Sequence, residues 1–314
     1  MLMSKFHNPD KIKVPRSFWA VLKWKLTSPK PPVWPKKVIY TKDIPPSRVN
    51  DDSIRISSVG HAAFLIQHQG KNILTDPVWS NRVGPFNIGI KRVADVGIDF
   101  DMLPKIDFVL VSHNHYDHLD VATLKMLEKR DKPVFIVPVG NEKTLKRPMP
   151  NSKTESLNWY NSIAFADFKI HLIPSQHWSS RTPFDINKAL WGGFIIESSK
   201  TQICFIGDTG YDKKMFEEIG HRFNNISFAI LPIGCYEPRW FMEDVHMNPR
   251  EALQAFLDMK AKFIIPSHFG IFQLADDGYN QALEDYEQSL KDLNINSSHL
   301  LKPGEFILKS SDLF

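Results

Sequence analysis

The chain has 314 residues, 42% of them hydrophobic and 24% charged, with a net charge of +4. That composition excludes intrinsic disorder and fibrous repeats, and the lack of any run of eighteen apolar residues excludes a membrane-spanning helix. The charge is unevenly spread: residues 1–50 carry eleven Lys or Arg against Asp10 and Asp43, which leaves 28 basic and 33 acidic residues for the rest.

Eight of the 22 prolines also fall in this opening stretch, which includes Pro32-Val33-Trp34-Pro35. Residues 1–51 therefore read as a basic, Pro- and Trp-rich arm, and 52–314 as the folded domain. Phe18, Trp19, Leu22 and Trp24 among Lys23 and Lys25 suit an anionic membrane surface, at roughly 1 kcal/mol per suitably placed cation. The competing reading is a strap whose aromatics pack on the body. Phe18–Leu22 is too short for a secretory core, and Cys204 and Cys235 sit in apolar runs as buried thiols. The expected location is cytoplasmic, with peripheral membrane attachment if the arm binds lipid.

From residue 52 short β-rich runs begin. Ile54–Ser57, Ala62–Gln67 and Asn72–Thr75 read as strands, the last two joined at Gln69-Gly70. The Gly-punctuated stretch Trp79–Asp107 reads as a loop. Strands follow at Phe108–Ser112, Val134–Pro138, Lys169–Ile173, Gly193–Glu197, Gln202–Ile206, Phe228–Pro232, Phe263–Pro266 and Glu305–Leu308. Helices are predicted over Val121–Arg130 with Asp120 as N-cap, from Pro249 to Met259 after a capping-box start at Asn248, and over Tyr279–Leu293. Strands with interspersed helices in two successive halves predict a sheet-on-sheet core flanked by helices, an α/β architecture.

The informative stretch is His113-Asn114-His115-Tyr116-Asp117-His118 at a strand exit, where a turn can aim three imidazoles and a carboxylate into one volume. Such donors suit Zn, Fe or Mn. Three more ligand-type residues follow strands: His177, Asp208 in Ile206-Gly207-Asp208-Thr209-Gly210, and His268. One such residue would be weak evidence; four strand ends supplying seven donors is strong.

This set resembles the ligand signature of the metallo-β-lactamase superfamily, over about Ser57 to His268. The resemblance implies an αββα sandwich holding two Zn (alternatively Fe or Mn) per chain. It implies that His113, His115 and His177 hold one ion, Asp117, His118 and His268 the other, and that Asp208 bridges. Aspartate at 208, where β-lactamases of this fold commonly place cysteine, favours hydrolysis at phosphorus or of lactones and thioesters. Only 46 residues follow His268, too few for a fused flavodoxin domain.

Three strings are similar to the family of N-acylphosphatidylethanolamine-hydrolysing phospholipases D and its bacterial relatives: Gly60-His61-Ala62 with Thr75-Asp76-Pro77, Gln176-His177-Trp178 with Leu190-Trp191-Gly192, and Tyr236-Glu237-Pro238-Arg239-Trp240-Phe241-Met242. The leader is shorter than in that family, and the loop Val83–Val93 differs. The resemblance implies phospholipase D-type hydrolysis of a phospholipid or other small phosphodiester by a water activated between the metals. The alternative is a lactonase or a sugar- or cyclic-phosphate hydrolase on the same scaffold. Asp117 and Asp208 would orient that water. His246, against a surface-loop reading, would contact phosphate or protonate the leaving group. Asp76 would hold a ligand histidine by its ring N–H, and His61 would lie near the site or pack as a structural histidine. Arg239 either pairs with phosphate or forms a structural ion pair; Tyr236 and Trp178 are substrate-binding candidates, although a tryptophan in such a setting is more often core than substrate wall. Nucleic acid is disfavoured as a partner, and a homodimer stays open.

Overall fold

A computed structural model of the chain describes residues 5–10, 14 and 18–310, apart from the side chains of Phe18 and Asn87. The arm's Lys11, Lys13 and Arg16 lie outside the described residues. In chain order the elements begin with α1 (Phe18–Thr27), β1 (Ser53–Gly60), β2 (Ala63–His68), β3 (Lys71–Thr75), β4 (Arg82–Val83) and β5 (Ile90–Lys91). They continue with β6 (Phe108–Leu110), α2 (Val121–Asp131), β7 (Val134–Pro138), α3 (Glu142–Lys146), β8 (Lys153–Leu157), β9 (Ser162–Ala164), β10 (Lys169–Ile173) and β11 (Gly193–Glu197). Then come β12 (Gln202–Phe205), α4 (Lys213–Arg222), β13 (Ile226–Pro232), α5 (Arg239–Met242), α6 (Pro249–Asp258), β14 (Phe263–Ser267), α7 (Gln281–Asp292) and β15 (Phe306–Ser310).

Two mixed sheets stack face to face, ordered β15-β1-β2-β3-β6-β7-β8 and β14-β13-β12-β11-β10-β9. β1 to β3 form an antiparallel meander; Gln69 and Gly70 close its second turn with φ of 46° and 70°, as a tight hairpin turn requires. The parallel neighbours β6–β7, β12–β13 and β13–β14 need crossovers, supplied by α2, α4 and α6.

Alternation along each strand builds three apolar layers. Ile54, Ile56, Phe64 and Ile66 meet Ile170, Phe194, Phe205 and Phe228 between the sheets. The opposite faces carry Leu65, Leu74 and Val109 under Leu124 and Leu127 of α2, and Cys204, Ala229 and Leu231 under Phe216 of α4, Leu253 of α6 and Tyr286 of α7. Both faces of both sheets are thus covered, which is why the strands read as continuous apolar runs. Phe216 is fully buried, so Phe216→Ala should cost about 3–5 kcal/mol.

The two helix caps expected at Asp120 and Asn248 both form. Asp120 accepts from Ala122 N at 3.1 Å, and Asn248 with Glu251 forms a reciprocal capping box on α6. Trp79–Asp107, expected as a loop, contains the β4–β5 pair.

The arm packs on the body. Lys and Trp residues alternate through α1 before Ser28-Pro29 ends it. Trp24 is buried, stacks 4.8 Å from Phe241 and donates its indole N–H to Asp276 at 2.5 Å. Trp34 donates to the Asp277 carbonyl at 2.9 Å, Val38 N to Val93 O at 2.7 Å, and Asp43 takes a buried two-pronged ion pair from Arg55 at 2.7 and 2.9 Å.

Candidate metal centre and substrate cavity

Four strand ends converge. β6 leads into a turn in which Leu119 N bonds the His115 carbonyl at 2.9 Å, so His113, His115, Asp117 and His118 face one volume. His177 follows β10, Asp208 follows β12, and His268 follows β14 with its N–H on the His61 carbonyl at 2.9 Å. Gly207 sets Asp208: its φ is +69°, and a Cβ there would meet the Ser112 Cβ at 2.5 Å. His61 and His268 themselves hold φ of 62°, backbone strain concentrated at the site.

The donors sort into two groups. His113 Nε2 lies 2.9 Å from His115 Nδ1, which lies 3.3 Å from His177 Nε2. Asp117 Oδ2 lies 3.3 Å from His118 Nε2 and 3.5 Å from His268 Nε2. Asp208 stands between them, its Oδ2 3.1 Å from His118, 3.7 Å from His177 and 3.9 Å from His113, with Oδ1 3.2 Å from His268.

Three of the rings are tied down by the nitrogen that faces away. His118 Nδ1–H donates to Asp76 at 2.6 Å, His177 Nδ1–H to the Val245 carbonyl at 3.0 Å, and His113 Nδ1–H to Ser112 Oγ at 2.9 Å. Ser112 in turn gives its N–H and O–H to Asp76 at 2.7 and 2.6 Å. This arrangement fixes the tautomers and leaves each Nε2 lone pair free for a cation. His118 Nε2, His268 Nε2 and Asp208 Oδ1 are buried with no hydrogen-bond partner. Orphaned acceptors at this density fit metal ions and little else, since buried polar atoms are otherwise satisfied.

Electrostatics agree with a cation-binding set. Burial holds His113 and His177 well below the usual imidazole range and His115 at about 4, so these rings are neutral donors at pH 7. Burial alone would raise Asp208 and Asp117, but His118 and its neighbours outweigh it and hold both carboxylates ionised. The same carboxylates outweigh burial at His118 and His268, the latter reaching about 9, so at these two rings a cation would take the place of a proton that the carboxylates otherwise hold.

The centre floors a cavity of about 390 Å³. His115, Asp117, Asp208, His246 and His268 form the floor; Val14, Val21 and Trp24 of the arm, with Phe241, Met242 and Leu274, form much of the wall. Trp178 also lines it and packs 4.5 Å from His115. His246 is buried, its Nδ1 4.0 Å from Asp208 Oδ2 and unpartnered. His61 donates to Asp117 at 3.0 Å and packs 4.0 Å from His268.

Two expected substrate contacts are not among the lining residues. Tyr236 donates its hydroxyl to Asp285 at 2.6 Å within the α7 core. Arg239 is engaged by both Glu251 oxygens at 2.9 Å and by the His246 carbonyl, so it forms a structural ion pair with Glu251. Ser112, the Val245 carbonyl and Asn8 carry no local pattern that would single them out, because their contacts are made only in the fold.

A family model for the Beta-lactamase superfamily domain matches residues 71–269. An uncharacterised protein of Mycobacterium tuberculosis is 34% identical over 236 residues, 74% of this chain and 62% of that protein, so this chain matches under two thirds of that relative's length. N-acyl-phosphatidylethanolamine-hydrolyzing phospholipase D 1 of Caenorhabditis elegans is 33% identical over 269 residues, 81% of this chain and 75% of that protein. Among solved structures, Igni18, a metallo hydrolase from the archaeon Ignicoccus hospitalis, superimposes with a TM-score of 0.63 at 21% identity, covering 82% of this chain and 98% of that one. Joined to the αββα layering and the His/Asp clusters, these matches identify the chain as a member of the metallo-β-lactamase superfamily of metal-dependent hydrolases, similar to N-acylphosphatidylethanolamine-hydrolysing phospholipases D.

Proposed function

We propose that the chain is a dinuclear metal-dependent phosphodiesterase that cleaves N-acylphosphatidylethanolamine-like phospholipids in the manner of a phospholipase D. The observation that carries the reading is a two-group His/Asp floor under an apolar cavity, a match for a charged phosphoryl group attached to acyl chains. Similarity to the Caenorhabditis elegans enzyme supports the same substrate class.

His113, His115 and His177 would hold one ion, Asp117, His118 and His268 the other, and Asp208 both. Two Zn ions so held would supply a water with its pKa lowered to about 7 and stabilise charge on the phosphoryl oxygens. Asp117 and Asp208, both ionised, orient the attacking water toward phosphorus; as the new P–O bond forms, the bond to the head-group oxygen breaks, and the proton given up by the water goes to that oxygen, which leaves as the alcohol. His246, held at about 4 by burial, is neutral at pH 7. It therefore serves as a hydrogen-bond donor to a phosphoryl oxygen, not as a cationic proton source. Val14, Val21, Trp24 and Met242 exclude water and receive apolar chain.

Among the described residues no helix is long and apolar enough to cross a membrane. Peripheral contact has a candidate surface. Trp19 and Leu26, one heptad apart on α1, and Phe86 and Ile88 between β4 and β5, are all exposed, while Val21, Trp24, Val83 and Gly84 of the same two segments line the cavity. An apolar rim around the mouth, beside Lys23 and Lys25, suits an anionic lipid surface.

The test is a panel of bis-p-nitrophenyl phosphate, N-acylphosphatidylethanolamine, phosphatidylcholine and an acyl lactone, with metal content measured alongside. The expected result is two metal equivalents per chain and turnover of diesters, highest on the N-acylated lipid. Lactone turnover without diester turnover overturns the phosphodiesterase reading, and metal-free protein from metal-replete medium overturns the mechanism.

A further inference from the structure

The loop from Gln176 to Trp191 carries His177, and the first residues of the chain grip it at three places. Phe6 N donates to the Asn187 carbonyl at 2.8 Å, and the Asn187 amide donates to the Val14 carbonyl at 3.0 Å. Between them Asn8, 3% exposed, accepts with Oδ1 from the backbone N–H of His177 at 3.1 Å and from the Trp191 indole N–H at 3.0 Å. Two donors converge on one atom of this side chain, so that atom is the amide oxygen. The other end, Nδ2, is buried and has no partner. Asn8 is thus present for its acceptor, and the group it holds is the main chain of a candidate ligand 169 residues away.

His177 is then fixed from both sides. Val245 O takes its ring Nδ1–H, and Asn8 takes its backbone N–H, which leaves the imidazole little freedom other than to present Nε2 beside His113 and His115. Asn8 is the acceptor that satisfies this N–H, and a buried main-chain donor left without one costs about 1–3 kcal/mol. Loss of Asn8 would be relieved by the loop moving, and His177 would move with it.

We propose that Asn8 is a positioning residue of the metal centre, and that the N-terminal strap completes that centre by holding His177 in place. The inference rests on the dinuclear reading above and adds to it that one metal group depends on a residue far outside the matched domain.

The experiment compares Asn8→Ala, Asn8→Asp and Trp34→Phe in the full chain. Asn8→Asp keeps the acceptor oxygen and puts a second, ionisable oxygen where the unpartnered amide nitrogen was; Trp34→Phe removes a strap anchor that bonds the Asp277 carbonyl and not the His177 loop. Zinc affinity by chelator competition and the visible spectrum of the cobalt-substituted protein are read, neither of which needs a substrate. Asn8→Ala is expected to weaken one of two equivalents by about tenfold or more and to change the cobalt spectrum. Asn8→Asp and Trp34→Phe are expected to keep both equivalents and the native spectrum. Asn8→Ala protein that binds two metals with native affinity and spectrum overturns the inference, as does equal loss in Trp34→Phe, which would mean general loosening of the strap. If Asn8→Ala does not fold, Asn8→Asp decides: two metals support the role of the acceptor and one overturns it. Wild-type protein that binds no metal overturns this inference and the dinuclear reading together, whereas two metals in every variant overturns this inference alone.

Discussion

The floor and the wall of the cavity are built by different means. The floor stands on four strand ends of a close-packed sandwich, and its rings are tied to Asp76, Ser112 and Val245 by buried hydrogen bonds. Much of the wall is a strap held by separate contacts along its length, among them those of Asn8, Trp24, Trp34 and the Asp43–Arg55 pair, and it leaves Trp19 and Leu26 exposed. The contrast separates two tasks: rigid strand ends fix most donors to the tolerance that metal chemistry demands, while the strap shapes access and fit and touches the floor through Asn8 on His177.

Substitutions can test that division. Asp208→Asn, at the centre of the floor, should lower turnover of bis-p-nitrophenyl phosphate by more than the roughly 100-fold that loss of an outer hydrogen-bond partner can cause, with the unfolding temperature little changed. Full activity would break the assignment of the floor. His246→Ala, which removes the donor beside the ligands, should lower kcat by about 100-fold while both metals stay bound. Because burial sets His246 at about 4, it is deprotonated throughout pH 5.5–8, so the wild-type profile of kcat/KM should show no limb in that range that the variant lacks. Trp24→Ala, in the wall, should lower kcat/KM for a long-chain lipid by about tenfold and leave the soluble diester nearly untouched. Parallel loss on both substrates would mean that wall and floor are one unit. Arg239→Met lies outside the division: it should cost about 1 kcal/mol of stability by denaturant titration and leave KM unchanged, since its guanidinium is engaged with Glu251. A large rise in KM would return Arg239 to the cavity.

What can be read from the sequence follows the same line. His113 to His118 are adjacent in the chain, and His177, Asp208 and His268 each follow an apolar run, so local pattern finds them. The β-strands of the interior are legible because both faces are buried. Edge strand β8 is not: Lys153–Leu157 is mostly exposed and carries no alternation. Helix α4 does carry a stripe, Met215, Phe216 and Ile219, that would have announced it. Helix α1 could not be placed, because the groups that bury Trp24, among them Phe241 and Asp276, lie more than two hundred positions away. The same remoteness hid the tie of Arg239 to Glu251, whose carboxylate also caps α6. Charge counting pointed to the arm as a distinct segment; only packing reveals it as part of the cavity.

The reach of those strap contacts also orders events in time. Asn8, Trp24 and Trp34 find their partners 169, 252 and 243 positions later in the chain. Synthesis runs from the N-terminus, so the strap emerges before its partners and has nothing to dock on until the second sheet and residues 276–277 have formed. Such long closures come late in folding, which leaves the nascent strap with its tryptophans uncovered for most of translation. Docking of the strap is therefore the last step, and it closes the cavity and fixes the His177 main chain together.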